Sequence, residues 1–197
     1  MSYAMGSHSG RVFSGREGRA FAMTRRAAAL VLALAVVPAG CMSKRTDGGT
    51  GLLPLGTTAP DFAAKDSAGK VVHLSDFAGS PRIVYFYPKD ETPGCTQEAC
   101  AFRDAYKQFD AKGVIVFGVS RDTEKSHDEF RAAHTLPFPL VADADGTVQK
   151  SYGVPSMMGM PMAERVSFLI GRDGKIEHVF EKVDPVIHAS EVLDLVK

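Results

Sequence analysis

Net charge is absent from this chain of 197 residues, in which 23 Lys and Arg side chains meet 23 Asp and Glu. The balance hides an asymmetry: residues 1–41 hold five Arg and one Glu, whereas 42–197 hold 18 basic and 22 acidic side chains. A mildly acidic body offers no basic face, and no RNA- or DNA-binding motif is present, which excludes nucleic-acid partners. Long apolar runs are also missing. The longest, Ala27–Val37, has eleven residues and as a helix would span about 16 Å, roughly half a bilayer core. It is too short for a normal transmembrane helix. Cysteine is scarce, with only Cys41, Cys95 and Cys100. No C-x-x-C pair occurs, and none of the six histidines forms a ligand pair with a cysteine. Internal repeats and biased tracts are lacking too, so the remaining sequence reads as one ordinary globular domain over about 55–197.

What the N-terminus does contain is ordered like an address. Arg25 and Arg26 precede the apolar run, then Pro-Ala-Gly leads to Cys41. A basic region, a short apolar region and small residues describe an export signal. Small residues directly before a cysteine resemble a bacterial lipoprotein lipobox, in which that cysteine is lipidated; Pro38 departs from the pattern. The expectation is a signal over 1–41, with Met23 as an alternative start, and anchoring through Cys41. A Gly/Thr-rich linker over 42–57 follows, then a domain over 58–197. That places the domain in the cell envelope, facing the periplasm, or in the cytoplasm if the signal is not used.

From Asp61 the punctuation becomes regular. DFAAKDSAGKVVHLS predicts two short strands around a turn. RIVYFY, 82–87, is bounded by prolines and reads as a buried strand. Phe102, Ala105, Tyr106 and Phe109 form a helical stripe between Pro93 and about Lys112, closed by Gly113. VIVFGVS, 114–120, is a second buried strand, completing a βαβ unit. A helix over 123–134, a short strand in PLVAD, a hairpin of VSFLI and IEHVF across an Asp-Gly turn, and a closing helix follow. The order predicts an α/β fold of thioredoxin type, a central mixed sheet flanked by helices.

The chemistry concentrates in PKDETPGCTQEAC, 88–100. Thr92 at the N-cap puts Pro93 at N1 and Cys95 at N3. Unpaired backbone N–H groups and the macrodipole favour a thiolate there. Even full ionisation at neutral pH raises the reactive fraction only about thirty-fold over a free thiol. A fast reaction therefore needs donors aimed at the charge that develops in the transition state.

Pro88, Thr92 and Cys95, as P-x-x-x-T-x-x-C, resemble the peroxiredoxin active-site motif. The longer FYPKDETPGCTQEAC is similar to the bacterioferritin-comigratory, or peroxiredoxin Q, branch, and the likeness runs through SRDTEKSHDEF, LPFPLVADADG, SYGV and VDPVIHASEVL over nearly all of 58–197. The resemblance implies a thiol peroxidase acting on hydrogen peroxide and organic hydroperoxides, without cofactor or metal. It implies that Cys95 attacks the O–O bond and becomes a sulfenic acid. Thr92 and an arginine hold the peroxide, and Pro88 shields the sulfenate. RVSFLI makes Arg165 that arginine. The resemblance also implies that Cys100 resolves the sulfenic acid as a Cys95–Cys100 disulfide, recycled by thioredoxin or another dithiol, in a protein expected to be monomeric. In an unbroken helix residues five apart lie about 8.6 Å between Cα atoms, and a disulfide needs less than about 7 Å. Resolution then requires the first turns to unwind.

Glu98, one turn beyond Cys95, is left outside this set, and the histidines are taken as structural or exposed. Met157, Met158, Met160 and Met162 depart from the branch pattern. They read as an adaptable rim beside the site, with a Cu(I) thioether site as the sharper alternative. Two other function classes compete for the same fold. An exported thioredoxin-like disulfide reductase would want C-x-x-C. A copper-binding assembly factor would want C-x-x-x-C with a distant histidine, one residue shorter than the spacing here.

Overall fold

Seven strands line up in the order β2-β1-β5-β4-β3-β6-β7 in the computed structural model, which describes residues 43–66 and 68–196. The proposed signal and Cys41 lie outside the described residues. The strands are β1 Ala63–Lys65, β2 Val71–His73, β3 Arg82–Phe86, β4 Ile115–Ser120, β5 Leu140–Ala142, β6 Val166–Ile170 and β7 Ile176–Phe180. β3, β4 and β5 run parallel, while β6 and β7 form an antiparallel hairpin beside β3. RIVYF is buried at every position because the sheet is covered on both faces. Ile83, Tyr85 and Tyr87 enter one core with Phe102, Phe109, Phe130 and Val192. Val84 and Phe86 enter the other with Phe62, Phe117, Tyr152 and Phe168. The thioredoxin-type expectation holds.

The helices are α1 Pro93–Asp104, α2 Tyr106–Ala111, α3 Glu124–His134, α4 Thr147–Ser151 and α5 His188–Leu195. The single helix expected over 93–112 is broken at Ala105, whose ψ of −1° flattens one turn. Ala105 still donates to the Ala101 carbonyl, and Phe109 to that of Ala105, so the break is a kink. Gly113 closes the segment at φ +67°, as its lack of a side chain suits. α4 was not foreseen in the sequence: five residues are too few to show a helical stripe.

Of the linker expected over 42–57, the described residues are tied down from Ser43 onward. The Ser43 hydroxyl donates to the Gly153 carbonyl. Arg45 Nη1 reaches the carbonyls of Thr50, Gly51 and Leu52, each at 3.2 Å. Leu53 is buried in the core. Gly153 permits this approach: it has φ +72°, and an added Cβ would lie 1.9 Å from the Gly51 carbonyl oxygen. Gly153→Ala should destabilise the domain by about 1–3 kcal/mol, through overpacking and backbone strain. A denaturant midpoint equal to that of the parent would show that the segment yields freely.

Candidate active site

Antiparallel pairing decides where the site forms. Phe86 at the end of β3 faces Val166 at the start of β6. Arg165, just ahead of β6, therefore meets the loop that leaves β3 through Pro88 and enters α1. That loop is anchored by Asp90, which accepts from the Tyr87 hydroxyl at 2.8 Å and the Ser126 hydroxyl at 2.7 Å, with His127 Nδ1 at 2.8 Å. Burial pushes the Asp90 carboxyl up, but hydrogen bonds from His127, Ser126 and Tyr87 outweigh it and hold the group below the usual carboxylate range. Glu91 follows in the left-handed region at φ +57°, a strained conformation for a residue with a side chain. The turn places Thr92 as the extended N-cap and Pro93 at the first helical position. The Thr92 hydroxyl does not cap the helix; it donates to the Lys89 carbonyl at 2.9 Å.

Cys95 is 1% exposed. Arg165 Nη2 donates to its sulfur at 3.3 Å, and Nη1 donates to Glu98 Oε2. A Cβ at Gly94 would make only an ordinary van der Waals contact with Arg165 Nη2, at 3.4 Å, so the guanidinium lies directly over the first turn of α1. Burial opposes the Arg165 charge, but Glu98 and Cys95 more than offset it and keep the guanidinium above its ordinary pKa. Glu98 is fully buried, and burial pushes its carboxyl up to about 7 against the pull of Arg165. The structure thus brings Cys95 and Arg165 together and adds Glu98, which sequence reasoning left aside. The signal was there in part: Glu98 follows Cys95 by three residues, the spacing that shares a helix face.

Cys100 is half-buried five residues further along unbroken α1, and both thiols are free. Pro88 is half-buried. With Lys89, Arg121 and Asp122 it borders a cavity of about 320 Å³ whose other wall is Met160, Pro161 and Met162. The methionine segment is therefore a rim next to the Pro88 loop. Met158 is 89% exposed with φ +49°. Among the described residues no cluster of three or more His, Cys, Asp or Glu is arranged to hold a metal ion.

This arrangement offers a buried sulfur nucleophile, a cation on it, and a carboxylate that fixes the cation. Comparisons with known proteins point to the same chemistry. Residues 55–179 match the model of the AhpC/TSA family. A putative peroxiredoxin bcp of Coxiella burnetii is 42% identical over 146 residues, covering 72% of this chain and 97% of the relative. A chloroplastic peroxiredoxin Q of Oryza sativa subsp. japonica is 39% identical over 148 residues, covering 75% of this chain and 68% of the relative. Among solved structures, Xanthomonas campestris peroxiredoxin Q superposes with a TM-score of 0.64 at 37% identity, covering 68% of this chain and 89% of that one. Peroxidoxin BcpB of Mycobacterium tuberculosis gives 0.65 at 34% identity, with coverage of 72% and 95%. The chain belongs to the AhpC/TSA family, as a thiol-dependent peroxidase of the peroxiredoxin Q and bacterioferritin-comigratory branch.

Proposed function

We propose that Cys95 is the peroxidatic thiol and Cys100 its resolving partner, with Arg165 and Thr92 holding the hydroperoxide and Pro88 shielding the product. The observation that carries this reading is the Arg165 guanidinium shared between Glu98 and the Cys95 sulfur. As thiolate, Cys95 attacks one peroxide oxygen; the S–O bond forms and the O–O bond breaks. The departing alkoxide or hydroxide takes up a proton and leaves as alcohol or water. Developing negative charge on that oxygen lies within reach of a guanidinium already in place, which needs little reorganisation. The Cys100 thiol then displaces the sulfenic hydroxyl as water, and the S–S bond forms. An external dithiol of thioredoxin type returns both thiols.

Cys100 reaches Cys95 only if the first turns of α1 open, which also draws Glu98 out of its pocket. One equivalent of hydrogen peroxide should therefore yield a peptide crosslinked between Cys95 and Cys100. Cys100→Ser should instead leave a sulfenic acid at Cys95 that a dimedone probe captures. Label on Cys100 alone, or no crosslink, would overturn the assignment.

Residues 1–41 are read as an export signal ending at a lipidated Cys41, which anchors a monomeric domain at the cell envelope. The basic, apolar and small-residue order around Arg25–Cys41 supports this. Cytoplasmic thioredoxin does not reach that compartment, so the reductant there is an exported dithiol protein. Mass spectrometry of the membrane fraction reads the N-terminus and any acyl chain on Cys41; an unmodified N-terminus upstream of Cys41 rules anchoring out.

A further inference from the structure

His188 has no part in the chemistry above, yet it is fully buried against the group that holds Arg165. Its Nε2 lies 2.9 Å from the Ser167 hydroxyl and 4.0 Å from Glu98 Oε1. Glu98 Oε1 is the carboxylate oxygen that Arg165 does not use, and it has no hydrogen-bond partner. The ring is clamped edge-on between Phe102 at 5.3 Å and Phe180 at 4.9 Å. Nδ1 has no hydrogen-bond partner either, and stands 3.8 Å from Glu191 Oε2 on the next turn of α5. Burial, then the Arg165 charge, pulls the imidazole down to about 4, so the ring is neutral and carries one N–H.

The two tautomers differ in what they present to Glu98. A proton on Nδ1 points at Glu191, whose side chain is 43% exposed, and turns a lone pair toward the buried carboxylate. A proton on Nε2 is donated to the Ser167 hydroxyl at 2.9 Å and leaves its positive end near Glu98 Oε1. At 4.0 Å that oxygen is beyond a direct hydrogen bond but feels the charge through a low dielectric that screens it least. The second arrangement is favoured while Glu98 is ionised. Ser167 lies two residues after Arg165 on the same strand end, so one segment braces the ring and carries the cation. The titratable groups facing Glu98 are Arg165 ahead of β6, His188 on α5, Tyr85 on β3 and Cys95 on its own helix.

We propose that His188 is a positioning residue for the peroxide step: its Nε2–H, braced by Ser167, orients the Glu98 carboxylate and through it holds Arg165 on the Cys95 sulfur. The inference rests on Cys95 being the peroxidatic thiol, which the crosslink experiment tests separately. His188→Phe keeps an aromatic ring in the clamp and removes the donor. It should slow Cys95 oxidation by hydrogen peroxide roughly tenfold, leave reduction of the disulfide by dithiol unchanged, and shift the acid limb of the pH–rate profile. His188→Gln, which can donate, should recover part of the rate. The decisive comparison is a double-mutant cycle. In a Glu98→Gln background the His188→Phe change should cost nothing further, because its route to the sulfur is already cut. Full additivity, or a His188→Phe protein with unchanged rate and pH profile, overturns the proposal. Should His188→Phe fail to fold, Ser167→Ala leaves the ring packed and removes only its brace. A fall of about threefold is then expected, and a parental rate refutes it.

Discussion

Serine in place of Cys95 is expected to abolish peroxide turnover, a loss on the order of 10⁴-fold or more. An aliphatic hydroxyl does not ionise near neutral pH, so neither the helix N-terminus nor Arg165 has an anion to stabilise. Folding should survive, since serine is nearly isosteric and its oxygen can accept from Arg165 Nη2, which lies 3.3 Å from the sulfur. The measurement is peroxide consumption with excess dithiol, corrected for the direct reaction of the two reagents, on protein whose thermal transition matches the parent. Residual enzymatic turnover above about one per cent would move the nucleophile elsewhere. Cys100→Ser makes the informative contrast. It should retain the first oxidation at full rate and depend on an outside thiol for every later step. Only position 95 should be indispensable to both.

Much of this site was readable in one short stretch because its logic is local. Thr-Pro-Gly-Cys after a buried strand places a cysteine at the third position of a helix, and the structure begins α1 at Pro93. RIVYFY and VIVFGVS announced two central strands through continuous apolar character. Arg165 was reached by resemblance alone; no spacing argument links residues 70 apart, and antiparallel β3–β6 pairing is what joins them. Glu98 shares a helix face with Cys95, but its neighbours Arg165, just ahead of β6, and His188, on α5, come from far along the chain. His188 reads as structural in the sequence, since it forms no ligand pair with a cysteine and no periodicity marks which histidine will face a carboxylate. Asp90 and His127 escaped notice for the same reason, their contact spanning 37 residues. The kink at Ala105 carries neither glycine nor proline as a sign in the sequence.

Arg165→Met should lower the second-order rate of Cys95 oxidation by about 10²–10³-fold, the usual cost of removing a donor from developing negative charge. Methionine preserves much of the volume, so the loss reads as chemistry. Lysine should restore only part of the rate, because a single ammonium cannot span Glu98 and the sulfur as the two guanidinium nitrogens do. The substitution strands Glu98 in a buried site. A carboxyl already pushed up to about 7 by burial then loses the group that pulls it down, and holds its proton instead of leaving a bare charge in the core. Stability at neutral pH should fall much less than the rate. Equal oxidation rates in parent and Arg165→Met would remove the guanidinium from the mechanism.

The same carboxyl sets opposing demands on pH in the parent protein. Glu98 ionised grips Arg165; Glu98 neutral holds it only as a hydrogen-bond partner, so peroxide oxidation should slow as pH falls below about 7. Folding responds with the other sign. The folded value lies above the ordinary 4.5, so closed α1 binds the proton more tightly than opened α1. Its stability contribution is complete below 4.5 and is lost, by on the order of 3 kcal/mol, as pH rises through 7. Between those values the peroxide step gains while the helix that must open for Cys100 loses its hold. Amide exchange across 95–100, corrected for intrinsic chemistry and referenced to α3, should therefore speed up over that interval and level off above it. In Arg165→Met the upper end of the interval should rise while the lower end stays at 4.5, since only the closed helix loses the charge that opposed burial. Exchange across 95–100 that stays flat with pH in both proteins would show that Glu98 does not govern the opening.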